Sequence, residues 1–196
     1  MLERLTRDLA AAVATVDARQ PIAVNKKSGA SFEAGLGPHS ETETFALILT
    51  EAQCTDGTWL LGVTYSVPYP HQKRQRCDAR VVTKDGTLFL EAKLLRLKGD
   101  NGKPNDNMLM HILSPYPQHR SVLTDCLKLS HSGFGGQTAV VILGYSYPDM
   151  SLEPAVNAFE TLAGKVVKLG KRFEASFSGL CHRVHREGKV MAWQIE

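Results

Sequence analysis

Asp78, Glu91 and Lys93 fall within one short stretch, Cys77 to Lys93, whose alternation of apolar and polar residues reads as two β-strands joined by a turn. Asp85-Gly86 inside it is a strong two-residue hairpin signal. Taken as the loop, that dipeptide pairs Lys84 with Thr87, Arg80 with Glu91 and Asp78 with Lys93. Residues two apart on a strand share a face, so Glu91 and Lys93 are neighbours. Two acids and an ammonium then project from one end of one face. Such a group can hold a divalent cation against a phosphodiester. Two carboxylates 5 Å apart repel by roughly 3 kcal/mol at an effective dielectric near 20, and a hard cation such as Mg²⁺ reverses that cost.

Opposed charges on a hairpin also form ordinary cross-strand pairs, each worth roughly 0.2–1 kcal/mol, and a solvated sheet face would show the same alternation. Val82 and Phe89 make the expected face apolar toward the turn, which points to a covered surface with its charges gathered at the far end.

The elements that must position these residues can be read outward from the hairpin. Leu2, Leu5, Leu9, Ala12, Val13 and Val16 recur at helical spacing and predict an amphipathic helix over residues 2–18. A Gly- and Ser-containing loop follows, and Ser40 reads as the N-cap of a second helix over 41–53, with Phe45, Ile48, Leu49 and Ala52 on one stripe. Trp59 to Val67 has strand composition and is broken by Pro68-Tyr69-Pro70. Beyond the hairpin come a polar loop over 99–107 and a short apolar patch over 108–113. A helix marked by Val122, Leu123, Cys126 and Leu127 follows. Gly133-Phe134-Gly135-Gly136 lacks the Lys-Ser/Thr of a phosphate-binding loop and reads as a helix-to-strand turn. The continuous apolar run Thr138 to Gly144 fits a strand buried on both faces. A further helix spans Leu152 to Val167. The tail from Arg172 reads as two or three strands, with a turn at Arg186-Glu187-Gly188-Lys189 and a last strand over 191–195.

The 196 residues fit a single domain with a core about 40–146, the N-terminal helix and a C-terminal elaboration over 151–196. The formal charge of +3 says little, but basic clusters at 73–76, 93–98, 165–172 and 183–189 suit a polyanion. Cys54, Cys77, Cys126 and Cys181 form no close pair, which disfavours a zinc ribbon; three of the four are expected to be small core residues. No signal peptide and no membrane-length apolar run is visible, so a cytoplasmic protein with no membrane partner is expected.

The order helix, three strands with the acids on the second and third, helix, buried strand resembles the PD-(D/E)XK nuclease superfamily, the restriction-endonuclease-like fold. Asp78 fills the first motif position and Glu91-Ala92-Lys93 the second; Cys77 stands where the motif has proline. The resemblance spans roughly residues 41–145. It implies an α/β fold with an αβββαβ core, in which a mixed central sheet is flanked by helices and the last core strand runs parallel. It also implies cleavage of DNA with Mg²⁺, for which Mn²⁺ can substitute. Asp78, Glu91 and the backbone carbonyl of Ala92 would be ligands. Lys93 would orient the attacking water and stabilise charge on the phosphate. Many relatives add an acid from the first core helix. Glu41 is the better candidate, because Glu43 completes a capping box with Ser40. Gln118 and Arg120, with His119 between them at the start of the next helix, and Lys103 in the polar loop are candidate nucleic-acid contacts. A restriction or repair role follows by analogy, with a homodimer and a methyltransferase partner in the restriction case. The alternative is a non-catalytic nucleic-acid-binding protein on the same fold. His182 and His185, three apart in an expected strand, should face opposite sides as surface residues; His111 and His131 carry no recognisable partner.

Overall fold

The N-terminal stripe folds as α1 (Leu2–Ala18), and Ser40 caps α2 (Glu41–Thr55) through a reciprocal capping box with Glu43. This is a computed structural model that describes residues 1–72, 74–105 and 107–196. Lys73 of the first basic cluster and Asp106 of the polar loop lie outside those residues.

Three strands follow: β1 (Leu60–Pro68), β2 (Arg76–Thr83) and β3 (Gly86–Leu95). After the short α3 (Met110–Leu113) come α4 (Val122–Ser130), β4 (Gln137–Tyr145), α5 (Glu153–Ala163), β5 (Phe173–Phe177) and β6 (Gly188–Ile195). The six strands form one mixed open sheet in the order β1-β2-β3-β4-β6-β5. β1, β2 and β3 are an antiparallel meander, whereas β3 and β4 run parallel across the α4 connection. β6 and then β5 extend the sheet antiparallel beyond β4.

β4 is central and covered on both faces, which explains its unbroken apolar sequence. Val140, Val141, Ile142 and Leu143 are all at most 1% exposed. Burying each such side chain contributes about 1.5–3 kcal/mol before entropy is counted. α1 and α2 pack on each other and on one face of the sheet, while α3, α4 and α5 associate on the other. Alternation along β3 therefore sorts its side chains: Leu88, Leu90, Ala92 and Leu94 turn toward α1 and α2, and Glu91 and Lys93 toward α4.

Several expectations change. The last strand begins at Gly188, where a turn was expected, and α5 ends at Ala163, four residues before Val167. Cys77 and Cys126 are core residues, but Cys54 and Cys181 are exposed, so two cysteines rather than three serve the core. The histidine expectation is overturned. His182 and His185 are fully buried between β5 and β6, with rings stacked at a centroid distance of 4.8 Å. The segment is not a strand, because His182 Nδ1 accepts from the amides of Val184 (3.2 Å) and His185 (3.1 Å) and closes a local turn. His185 in turn meets Tyr147 Oη and Asp100.

Burial, then the neighbouring His185, holds the His182 pKa below the ordinary histidine value, against the pull of Glu33 and Asp100. Protonation therefore disfavours the fold, and stability should fall as pH drops through the unfolded-state value of about 6.5. His182→Asn keeps an acceptor for both amides and cannot ionise. Thermal melts from pH 8 to pH 5 should show the wild type losing stability faster than this variant below about pH 6.5; parallel curves would exclude the effect.

Candidate active site

The hairpin loop is Lys84-Asp85, not Asp85-Gly86. Thr83 pairs with Gly86, Val82 with Thr87 and Arg80 with Phe89. Three contacts fix this register. Trp59 Nε1 donates to Asp85 Oδ2 (3.1 Å), the Lys84 amide donates to the Trp59 carbonyl (3.0 Å), and Thr83 Oγ1 accepts from the Asp85 amide (3.1 Å). Gly86 takes φ +136°, so the unusual backbone angle falls on the residue that tolerates it. Relative to the expected pairing the strands are offset by two residues. An even offset keeps every side chain on its expected face, whereas an odd one would have reversed them. It does move Asp78 level with Glu91 instead of Lys93.

The β2–β3 ladder stops at Ala79 and Leu90, while β2 continues back to Arg76 paired with β1 alone. The strands splay at that point, and β3 amides lose their β2 partners. Carboxylates replace them. Asp78 Oδ2 accepts from the Ala92 amide (2.8 Å), and Glu41 Oε2, from the start of α2, accepts from the Leu94 amide (2.9 Å). Buried amides need such partners. The fold thus anchors Asp78 and Glu41 beside Glu91 and Lys93 through the backbone itself.

Lys93 Nζ lies 3.3 Å from Glu41 Oε1 and 3.3 Å from Asp125 Oδ2. Asp125 and Lys128 come from α4. Lys128 Nζ contacts Asp125 Oδ1 at 2.5 Å and Glu91 Oε1 at 3.3 Å. Tyr69, buried just past β1, donates its hydroxyl to Glu91 Oε1 at 2.5 Å. Four carboxyls and two ammonium groups therefore share one cluster. Sequence reasoning missed Asp125, Lys128 and Tyr69. Asp125 had a usable signal: it lies three residues after Val122 and four before Leu129, on the apolar stripe of α4, where a charge has no place without a buried partner. Tyr69 had none beyond its position between two prolines.

The electrostatics of the cluster are uneven. Burial raises the Glu91 pKa, Asp125 and Asp78 raise it further, and together they push it up to about 8 despite Lys128 and Tyr69. Burial likewise raises Glu41, opposed by Lys93 and the Leu94 amide. Burial works against charge on Lys93 too, but Asp125, Glu41 and Asp78 outweigh it and hold Lys93 above the ordinary lysine range. Lys128 is also raised, because Asp125 and Glu91 overcome its desolvation. One ion pair thus acts differently on its two ends: Lys128 sits closest to Asp125, which leaves Glu91 undercompensated.

The cluster forms the floor of an open cavity of about 870 Å³. Arg74, Arg76, Arg120, His71 and His131 line it as well, so a basic rim surrounds an acidic floor. Arg120 adopts φ +48°, rare for a non-glycine residue and a form of local strain found at functional sites. Not every expected residue arrives. Gln118 and His119 lie in a 3₁₀ turn (Pro117–His119) rather than in the helix, which starts at Val122 with Ser121 as its cap. Gln118 and Lys103 are exposed and do not line the cavity. Ala92 enters the contacts of the site through its amide. Asp78 makes no ion pair with Lys93, whose partners are Glu41 and Asp125.

Among the described residues no three Asp, Glu, His or Cys side chains already converge on one point as a metal cage. Mg²⁺ does not require one, since it keeps several waters and binds through one or two carboxylates plus substrate phosphates. Asp78 and Glu91 supply hard oxygen donors on one face, and the cluster carries two more carboxyls than ammonium groups. The donor set fits a divalent cation. Among the described residues no helix is long and apolar enough to cross a membrane. No protein-family model, curated protein or solved structure matches the chain.

Proposed function

We propose that this protein is a Mg²⁺-dependent phosphodiesterase of the PD-(D/E)XK class that cleaves DNA. The observation that carries the reading is the meeting, in one basic-rimmed cavity, of Asp78, Glu91 and Lys93 with the helix acid Glu41. The order α2-β1-β2-β3-α4-β4, with β3 parallel to β4, supports it. Asp78 and Glu91 would hold the ion. When bound, the ion would polarise the phosphate and lower the pKa of a bound water. Lys93, kept cationic by Asp125 and Glu41, presents its ammonium to charge developing on the phosphate. Both Glu41 oxygens are engaged, so its direct effect is to orient Lys93. Arg74, Arg76 and Arg120 suit the flanking phosphates.

Supercoiled plasmid should be nicked or linearised with Mg²⁺ or Mn²⁺ and left intact with chelator. Asp78→Asn keeps an acceptor for the Ala92 amide while losing the charge. It should lower the rate about a hundredfold or more without lowering the melting temperature. A second reading, a binding protein with an idle site, draws on the internal pairing of Lys128 with Glu91 and Asp125. Retention of DNA with no cleavage under either ion would establish it in place of the first.

A further inference from the structure

A second cavity, of about 410 Å³, opens between α2 and the β1–β2 ribbon. Its floor is apolar, built from Leu9, Phe45, Leu49, Ala79 and Leu90. It shares Glu41, Thr42, Arg76 and Asp78 with the charged cavity, so the two meet along one wall. Close packing leaves few voids larger than a water molecule in a protein interior, and a space of this size falls in the range of ligand sites.

The backbone at its mouth is distorted. Tyr65 and Ser66 of β1 both line the cavity. Ser66 has φ +54° inside β1, at the position level with Asp78. No glycine relieves that angle, and strain of this kind persists where surrounding structure enforces it. Arg76 Nη1 donates to the Ser66 carbonyl (3.2 Å) and holds a cation at the junction of the two cavities.

We propose that this apolar cavity receives a nucleobase of the strand whose phosphate lies in the charged cavity. The inference rests on the phosphodiesterase reading and deepens it. A nucleotide combines a flat, largely apolar base with a phosphate, which matches an apolar chamber joined by an arginine to a cation-rimmed one. Phe45 and Tyr65 provide aromatic surface for the base. A base inside a duplex cannot enter such a chamber, so the substrate is single-stranded nucleic acid or a duplex from which one nucleotide is extruded.

The test uses binding without divalent ion, in chelator, so that no turnover occurs. Deoxynucleoside monophosphates and deoxyribose 5-phosphate are titrated against the full chain and followed by NMR. The wild type should prefer the monophosphates about tenfold or more over the sugar phosphate. Ala46→Phe fills the mouth with a side chain at a half-buried position and leaves in place the Ala46 carbonyl that accepts from Tyr65. It should abolish the preference. If that variant fails to fold, Tyr65→Ala at an exposed position should reduce the preference at least about threefold. Equal binding of the two probes by the wild type, or a preference untouched by the folded variant, overturns the proposal even if plasmid cleavage persists. Loss of plasmid cleavage with the preference intact overturns the phosphodiesterase reading and leaves the base chamber standing. An apolar probe such as indole that binds as tightly as the monophosphates would also overturn it, by assigning the chamber to apolar ligands in general.

Discussion

Glu91→Gln should inactivate the protein and, in metal-free solution above neutral pH, stabilise it. Glu91 is 4% exposed and faces Asp78 and Asp125, with the nearer ammonium drawn to Asp125. Its folded-state pKa of about 8 exceeds the free value of 4.5. Between those values the folded chain holds a proton that the unfolded chain has released, so stability falls as pH rises through that window and levels off above about 8. Each unit of difference is worth about 1.4 kcal/mol, which makes the total a few kcal/mol. Glutamine cannot ionise and still accepts from Tyr69. In chelator the variant should melt above the wild type at pH 8.5 and close to it at pH 5. Added Mg²⁺ should raise the wild-type melting temperature at pH 8.5 clearly more than that of the variant, which keeps Asp78 but has lost the second carboxylate that would hold the ion. Cleavage should drop about a hundredfold or more. Superimposable pH–stability curves for the two proteins would remove the basis for treating Glu91 as an undercompensated charge.

Lys93→Met should damage both activity and stability, and a second change should separate the two. Asp125 is 2% exposed and relies on Lys93 and Lys128. Removing Lys93 leaves Asp125 and Glu41 with too little positive charge, and breaking a buried pair from one side costs about 3–5 kcal/mol. Asp125→Asn in the Lys93→Met background removes the stranded charge and should recover much of that loss. Activity should not return, because Lys93 is the ammonium that faces the phosphate in the proposed chemistry. Urea melts and plasmid cleavage on the wild type, both single variants and the double variant give the full cycle. Recovery of cleavage in the double variant would demote Lys93 to a counter-ion of Asp125.

The two experiments probe one feature from opposite sides. The cluster holds more negative charge than its burial favours, and both β3 amides at the splayed edge depend on it. A charge arrangement that costs stability when no ion is bound is what a cation-binding reading requires, and stability given up at a site is a common companion of function.

Much of this arrangement was determined by the amino-acid sequence alone. Helical periodicity marked α1 and α2 to within two residues at either end, and the Ser40–Glu43 box fixed where α2 starts, because both are local effects of spacing and backbone capping. The unbroken apolar run of β4 announced a strand covered on both faces. Two-residue alternation placed Asp78, Glu91 and Lys93 on a common face, and it survived an error in register because the offset was even. Only the tertiary structure decided the partners. The loop shifted to Lys84-Asp85 because Trp59, in the turn just before β1, ties down Asp85 and Lys84. Asp125, Lys128 and Tyr69 reached the cluster across gaps of 22 to 37 residues from Glu91, Tyr69 and Lys128 marking those limits. His182 and His185 became buried because a side-chain nitrogen, rather than a strand, satisfied the backbone there. Spacing along a chain reports which residues share a face; which charges meet across that face depends on packing between elements that the chain joins only after folding.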